Sequence, residues 1–552
     1  MVYIHRLSKN FKLIWIVCLF VLGCWVITTQ FRWNPDPHHD GIVLTGAIAF
    51  IDGYLPNSEF FAQYGPLASV LQGIGLLIFG KSLFGLKLFT SALVIITGML
   101  VSFRVYRIFG ILMASAVWAI WSLTGPMGLP WPSSLITTFI TVLGLSISFE
   151  IRGAVLSLKP KSLILAVQLL LVGALIRIHL LVIVGFILVV LYYKRRLLPK
   201  HYFRKIVVIS LFTIGSLVSA LVFFGILNSY LEQSILWAFK HYATPEITMT
   251  YLSGLLWFVL IPLASFLIWK VTKLGLRRKF LISFVLVNIF SLILIGSRIS
   301  IERNSQSLYN PIFFLTEFCR RMLLSWDYLS VSVFIFLTGM MIFKRVRKNS
   351  EIPLPEALLI AIGTGTLAQL YPLFDPWHIW MISPIFLLII SLLVPRVSLE
   401  AGFRPALLLA SAALTLVLSV QFSSNLLNQN FEFNSKLLRG MTSERTDSPN
   451  IDRTLIALEQ LDSTETKIRF LCTDGLYAAA SQHFMSEDFM YVDWGLGLSP
   501  VNESTRMLFV CNYTQEQIRV LSIQGWQLQF NISNGHLNYE GVILRNALFK
   551  RG

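Results

Sequence analysis

The sequence predicts an all-α polytopic membrane protein of about 13 spanning helices, with a small α/β domain at its C-terminal end. Three observations carry this. Hydrophobic residues make up 55% of the 552 and charged residues only 13%, against about 25% charged in a soluble domain. Short basic runs separate the apolar segments. Beyond residue 422 the pattern changes, and strand-like runs appear. The net charge of +17 is not a nucleic-acid footprint. Up to residue 422 there are 34 Lys+Arg against 14 Asp+Glu, and the tail has 11 against 14. The excess sits in short loops, where the positive-inside rule keeps Lys and Arg cytoplasmic.

In chain order, Arg6, Lys9 and Lys12 hold the start of a first span, 11–30, inside. This apolar run is longer than a signal-peptide core and lacks a small-residue cleavage site, so it reads as a retained helix. Segment 31–83 then lies outside. It begins PDPHHDG and continues into an apolar stretch in which Val43, Leu44, Ala47, Ile48 and Ile51 share one helical face. IDGYLPNSEFFAQYGP follows, and then a second apolar stretch, 66–79. Both stretches are too short to span and read as interfacial helices on the outer surface.

Spans follow near 84–103, 109–125, 132–150, 162–176, 180–193, 206–228, 250–269, 280–297, 322–343, 355–371, 377–394 and 405–422. With these, 25 Lys+Arg fall inside and, apart from the tail, nine fall outside. Treating 66–79 as a span would invert every later loop and destroy that asymmetry. The expected location is the cytoplasmic (inner) membrane, N-terminus inside and tail outside.

The chain thus divides into a membrane domain, 1–422, and an extracytoplasmic domain, 423–552. A polar linker, NSKLLRGMTSERTDSPN, leads to a helix in IDRTLIALEQL and strands in IRFLCTD, MLFVCNY, WQLQF and GVILR. Cys472 and Cys511 are the tail's two cysteines, and both a disulfide and a pair of buried thiols fit them. Cys18, Cys24 and Cys319 read as packing residues.

Ionisable groups near the membrane plane are costly, so they mark function. This topology gathers them on the external side: Asp36, His38, His39, Asp40, Gln63 and Tyr64 in the first loop, Arg177 and His179 at a helix bend, Arg298 and Arg303 in a later loop, and Asp375 and His378 in YPLFDPWH. Each has a plainer reading as well. Asp40 fits a helix N-cap, Asp375-Pro376 a turn, Arg177 a partner for loose carbonyls, and Trp131, Trp237, Trp377 and Trp380 interface anchors. Carboxylates and cations around one external cavity nonetheless suit glycosyl transfer from a lipid phosphate. A carboxylate accepts the acceptor's proton, while cations or a metal stabilise the departing phosphate.

At these residues the chain resembles the GT-C polytopic glycosyltransferases. The resemblance rests on Asp40 in PDPHHDG, on GYLPNSEFFAQYGPL (53–67), on LIFGKSLFGLKLFT with the basic Lys87 opening the next helix, and more weakly on YPLFDPWH. Where the family often has an acidic residue before Pro-Pro, this chain has Gln63-Tyr64-Gly65-Pro66, a departure that points to a bacterial envelope branch. The resemblance implies an inverting transferase. A sugar would move from a polyprenyl-phosphate donor to a glycan, lipid or protein acceptor, with Asp40 as general base. Asp36, His38 and His39 would orient Asp40, or Asp36 and His38 would bind a divalent cation such as Mg or Mn. Gln63, Tyr64, Arg177, His179, Arg298 and Arg303 would contact donor or acceptor, and Asp375 and His378 would line the opposite wall. Two alternatives stay open: a polysaccharide polymerase or ligase using arginines of the late loop, and a lipid-linked sugar transporter or flippase.

Overall fold

The structure is a computed structural model; it describes residues 2–62, 64–123, 131–152, 155–236, 326–370, 376–393, 431–443, 445–461, 468–472, 475–481, 507–537 and 543–551, with residues 248 and 252. The spans expected at 250–269, 280–297 and 405–422 lie outside the described residues.

The membrane part is helical. Its elements are α1 (Val2–Phe31), α2 (His39–Ile51), α3 (Pro66–Phe79), α4 (Leu83–Phe109), α5 (Ile111–Leu123), α6 (Pro132–Ser148), α7 (Pro160–Gly173), α8 (Leu180–Tyr193), α9 (Tyr202–Phe223), α10 (Leu227–Tyr230), α11 (Trp326–Arg347), α12 (Leu354–Thr366) and α13 (Pro376–Leu393). Local chemistry sets several boundaries. The Ser82 hydroxyl caps α4 by accepting the Gly85 N–H at 3.1 Å. Pro66, Pro132 and Pro160 open their helices, where the missing N–H costs nothing. Between α6 and α7 the structure adds an antiparallel hairpin, β1 (Phe149–Arg152) with β2 (Val155–Leu158), where the sequence pattern suggested a helix end and a loop.

Among the described residues, α4 and α9 are long and apolar enough to cross a membrane, and nine shorter apolar helices accompany them. The outer surface calls for lipid. On α9, Phe212 is 76% and Phe223 84% exposed, an apolar face that water would not tolerate. On α3, Leu77 and Ile78 point outward while Ser69 and Gln72 are buried. That reversal of a soluble helix, over 14 residues, fits a helix lying in the interface.

The tail contains α14 (Ser448–Glu459), β5 (Ile468–Leu471), α15 (Gly475–Ser481), β6 (Met507–Tyr513), α16 (Gln515–Ile523), β7 (Trp526–Leu537) and β8 (Ile543–Arg551), with a two-stranded ladder of β3 (Phe431–Glu432) and β4 (Thr442–Ser443) before them; α15 and α16 are not among the elements expected there. The main sheet runs β5-β6-β8-β7, with β5 and β6 parallel and the other pairs antiparallel. Cys472, just after β5, is disulfide-bonded to Cys511 on β6.

The tail shares a hydrophobic core with α2 and the start of α4. Val43, Leu44, Ile48, Leu83 and Leu86 pack with Leu438, Leu455, Leu476, Tyr477 and Phe509. Backbone bonds reinforce the join: Asn34 N–H to the Thr442 carbonyl at 2.8 Å, Thr442 N–H to Arg32 at 3.1 Å, and Leu476 N–H to Pro37 at 3.1 Å. Gly41 is required at this join, because a Cβ there would sit 2.1 Å from the Leu476 nitrogen.

Candidate active site

The site begins with the turn before α2. Asp36 Oδ1 accepts the N–H groups of His38 (2.9 Å) and His39 (3.0 Å), so Asp36 satisfies the loose donors of the helix start. Asp40 is thereby free of the capping task. Its side chain turns inward, accepts the Asp36 N–H at 3.0 Å through Oδ2, and takes the Lys87 ammonium of α4 on Oδ1. Both partners are buried, Asp40 at 1% and Lys87 at 2% exposure. Burial pushes the Asp40 carboxyl above the ordinary carboxylate value, against the pull of Lys87.

Above this pair lies a half-exposed dyad. His39 Nδ1 is 2.9 Å from Asp36 Oδ2. Burial pushes the Asp36 carboxyl up, but the His39 ring and the two backbone N–H groups win and hold it below the ordinary carboxylate range. Asp36 therefore accepts and His39 Nδ1–H donates. The tail adds a cation here. Arg445 forks onto Asp447 at 2.9 and 2.6 Å and lies within electrostatic reach of Asp36 and Tyr477.

An aromatic bridge joins the first loop to the helix ends across the bundle. The His39 ring meets Trp131 edge-on at 5.0 Å, and Trp131 stacks on His378 of α13 at 5.2 Å. His378 and Arg177 both act on His179 at the start of α8. Burial and these two neighbours pull the His179 ring down to about 3, so it is neutral at physiological pH. Arg177 donates to Ser134 Oγ on α6 and lies over the Tyr64 ring, 5.4 Å from its centroid. The loop backbone is clamped to the same bend, with Gly65 N–H donating to Ile176 at 3.1 Å. A Cβ at Gly65 would sit 1.9 Å from the Leu175 oxygen.

Asp36, His38, His39, Asp40, Tyr64, Arg177, His179 and His378 thus come together from four separated stretches of chain. Gln63, Arg298, Arg303 and Asp375 lie outside the described residues, as does Trp237. Both Asp36 oxygens are engaged within the turn, and among the described residues no group of three or more His, Cys, Asp or Glu could hold a metal. Trp131 and Trp380 were expected as interface anchors. Instead Trp131 sits between two histidines and Trp380 stacks on Trp121 at 4.0 Å in the interior. Sequence reasoning missed Lys87 as the partner of Asp40. The signal was there, since Lys87 is the single charge between Leu83 and Phe103 and a lone ion in an apolar span marks function. For Arg445 there was no such signal.

No family model and no curated protein matches the chain. Its fold is similar to several solved structures. One is ArnT from Cupriavidus metallidurans in the apo state, at 10% identity and TM-score 0.41 over 98% of both chains. A second is the same ArnT bound to undecaprenyl phosphate, at 11% identity and TM-score 0.40 over 96% of this chain and 98% of that one. A third is the Archaeoglobus fulgidus oligosaccharyltransferase in complex with Zn and sulfate, at 11% identity and TM-score 0.44 over 95% of this chain and 72% of that one.

Proposed function

We propose that this chain is a GT-C-type membrane glycosyltransferase, moving a sugar from a polyprenyl-phosphate donor to a cell-envelope acceptor on the outer face of the cytoplasmic membrane. The observation that carries the reading is the convergence of Asp36, His39 and Asp40 with Arg177, His179 and His378 around Trp131. Carboxylates able to take a proton are then gathered with cations able to hold a phosphate.

In the transfer, the acceptor hydroxyl loses its proton to the enzyme's base as its oxygen attacks the anomeric carbon. The anomeric C–O bond breaks, the electron pair stays on the phosphate oxygen, and polyprenyl phosphate leaves. Attack opposite the leaving group inverts the anomeric centre. Asp40 is the base in this reading, its basicity raised by burial, with Asp36 fixing it through the backbone. Arg177 is placed to hold the donor phosphate. No step is routed through a metal.

A second reading of the proton step has its own observation. Asp40 is 1% exposed and ion-paired, whereas His39 is half-exposed and backed by an ionised carboxylate. In that reading His39 Nε2 takes the proton and Asp40–Lys87 holds the loop. Transfer measured in membranes, with and without each side chain, separates the two. Asp40→Asn abolishes transfer under the first, while His39→Gln leaves most of it; the reverse ranking supports the second. Near-normal activity in both variants would sink the site.

The topology belongs to the same proposal: N-terminus inside, first loop and tail outside, with 1–422 the membrane domain and 423–552 the tail domain. Two observations support it. The tail and the first loop share one core, so they lie on one side. The Cys472–Cys511 disulfide suits an oxidising compartment.

A further inference from the structure

Resting on the glycosyl-transfer reading, in which Arg177 holds the donor phosphate, we infer that Gln233 is a positioning residue of the donor site. It fixes residues 57–62 of the first loop, and through them keeps the Tyr64 ring on the Arg177 guanidinium.

The case starts with a stretch of loop that folds back on itself. Asn57 is 1% exposed and has a left-handed backbone, φ 64°, a conformation Asn tolerates better than most residues. Its N–H donates to the Phe60 carbonyl at 3.0 Å, and its Nδ2 to the Ala62 carbonyl at 2.9 Å. A side chain from a distant element completes the set. Gln233 Oε1 accepts the Ala62 N–H and Asn57 Nδ2, both at 3.0 Å, and Gln233 Nε2 donates to the Asn57 carbonyl at 3.2 Å. A backbone N–H only donates and a carbonyl only accepts, so these partners decide which way the amide is turned. A carboxylate here would set a second oxygen against the Asn57 carbonyl, and an ammonium would face the Ala62 N–H. An amide answers both. Ser234, the next residue, adds its hydroxyl to the Ala62 carbonyl at 3.2 Å.

Gln233 is itself held in place. It lies in a π turn, Leu231–Leu236, that follows α10, and such turns are rare and frequent at functional sites. The turn is pinned by Tyr230, which is buried and donates its hydroxyl to the Ala174 carbonyl at 3.2 Å. Ala174 begins the α7–α8 bend. The next two carbonyls of that bend receive the loop again: Leu67 N–H reaches Leu175 at 3.2 Å and Gly65 N–H reaches Ile176 at 3.1 Å. The residue after them is Arg177, with the Tyr64 ring 5.4 Å away. The π turn, the loop and the bend therefore close into one frame, and the Tyr64–Arg177 contact is where it meets the chemistry. A guanidinium already held against a ring loses less freedom on taking a phosphate than one that must be ordered by it.

The test measures binding of undecaprenyl phosphate to the full-length protein in nanodiscs. The variants are Gln233→Met, which keeps the size and removes the amide, Gln233→Asn, which keeps the amide and shortens its reach, Tyr64→Leu, Arg177→Gln, and the double variant Gln233→Met with Tyr64→Leu. Both Gln233 variants and Tyr64→Leu should weaken binding about three- to tenfold, the range a partly desolvated cation–π contact spans. The double variant should be no weaker than the worse of its two parents, because both act through one contact. A side chain that only filled space would be replaced by Met without loss, and one that acted independently of Tyr64 would multiply its loss with that of Tyr64→Leu. Wild-type binding in Gln233→Met, wild-type binding in Gln233→Asn, or losses that multiply overturns the positioning role. If Arg177→Gln binds as wild type does, or wild type binds no undecaprenyl phosphate, the donor-site reading itself falls.

Discussion

At the scale of single residues, the Asp40–Lys87 pair is a buried ion pair that in the proposed function also carries the proton transfer. A buried carboxylate that loses its cation is left uncompensated, at a cost of about 3–5 kcal/mol. Lys87→Met should therefore lower the melting temperature of the purified protein sharply, while Asp40→Asn, which keeps the shape and removes the charge, should cost less stability and about 10²-fold or more in transfer. A thermal melt and a transfer assay on the same two preparations check both. His179 gives a separate pH signature. Its ring titrates near 3 when folded and at the ordinary 6.5 when unfolded, so between those values the unfolded chain binds the extra proton and stability rises with pH. Full stability is present above 6.5, and about 2 kcal/mol should be lost on going down to pH 5. Asp36 is held low and loses its contribution only below the ordinary carboxylate value, outside that window. His179→Phe should flatten the melting temperature between pH 7 and 5, and an unchanged slope would place the titration elsewhere.

At the scale of elements, the join between α2 and α15 depends on one missing side chain. Gly41→Val puts atoms where the Leu476 backbone lies, and it should loosen the tail without unfolding the spans. Hydrogen exchange would show it as lost protection at Leu476 and Thr442 with α4 unchanged. The helices themselves were legible in sequence because a 3.6-residue apolar repeat is a local property. The tail strands were legible for the same reason, in runs such as MLFVCNY. The β1–β2 hairpin was not, since four-residue strands carry too little alternation to stand out from a helix end. Asp36 and Asp40 could be named as candidates, but which of them caps the helix and which turns inward depends on Lys87, 47 positions away. Trp131 between His39 and His378 is a meeting of three helix starts, and no local pattern encodes it.

For the whole molecule, the Cys472–Cys511 bond ties the two parallel strands of the sheet that the first loop leans on. Maleimide should label neither thiol in intact cells until a reductant is added, and Cys472→Ser should destabilise the tail by about 2–5 kcal/mol. Protease added outside should cut the tail linker while sparing the loops that carry Lys and Arg. The reach of the join has a consequence for biosynthesis. Thr45 on α2 donates to the carbonyl of Gly475, 430 positions later. The first loop is made 430 residues before the surface it must rest on. Until that surface is made its apolar face has no companion, and contacts of such separation form slowly. The loop is therefore held only once Gly475 has been made, so a ribosome that stalls before it leaves the first loop without its support.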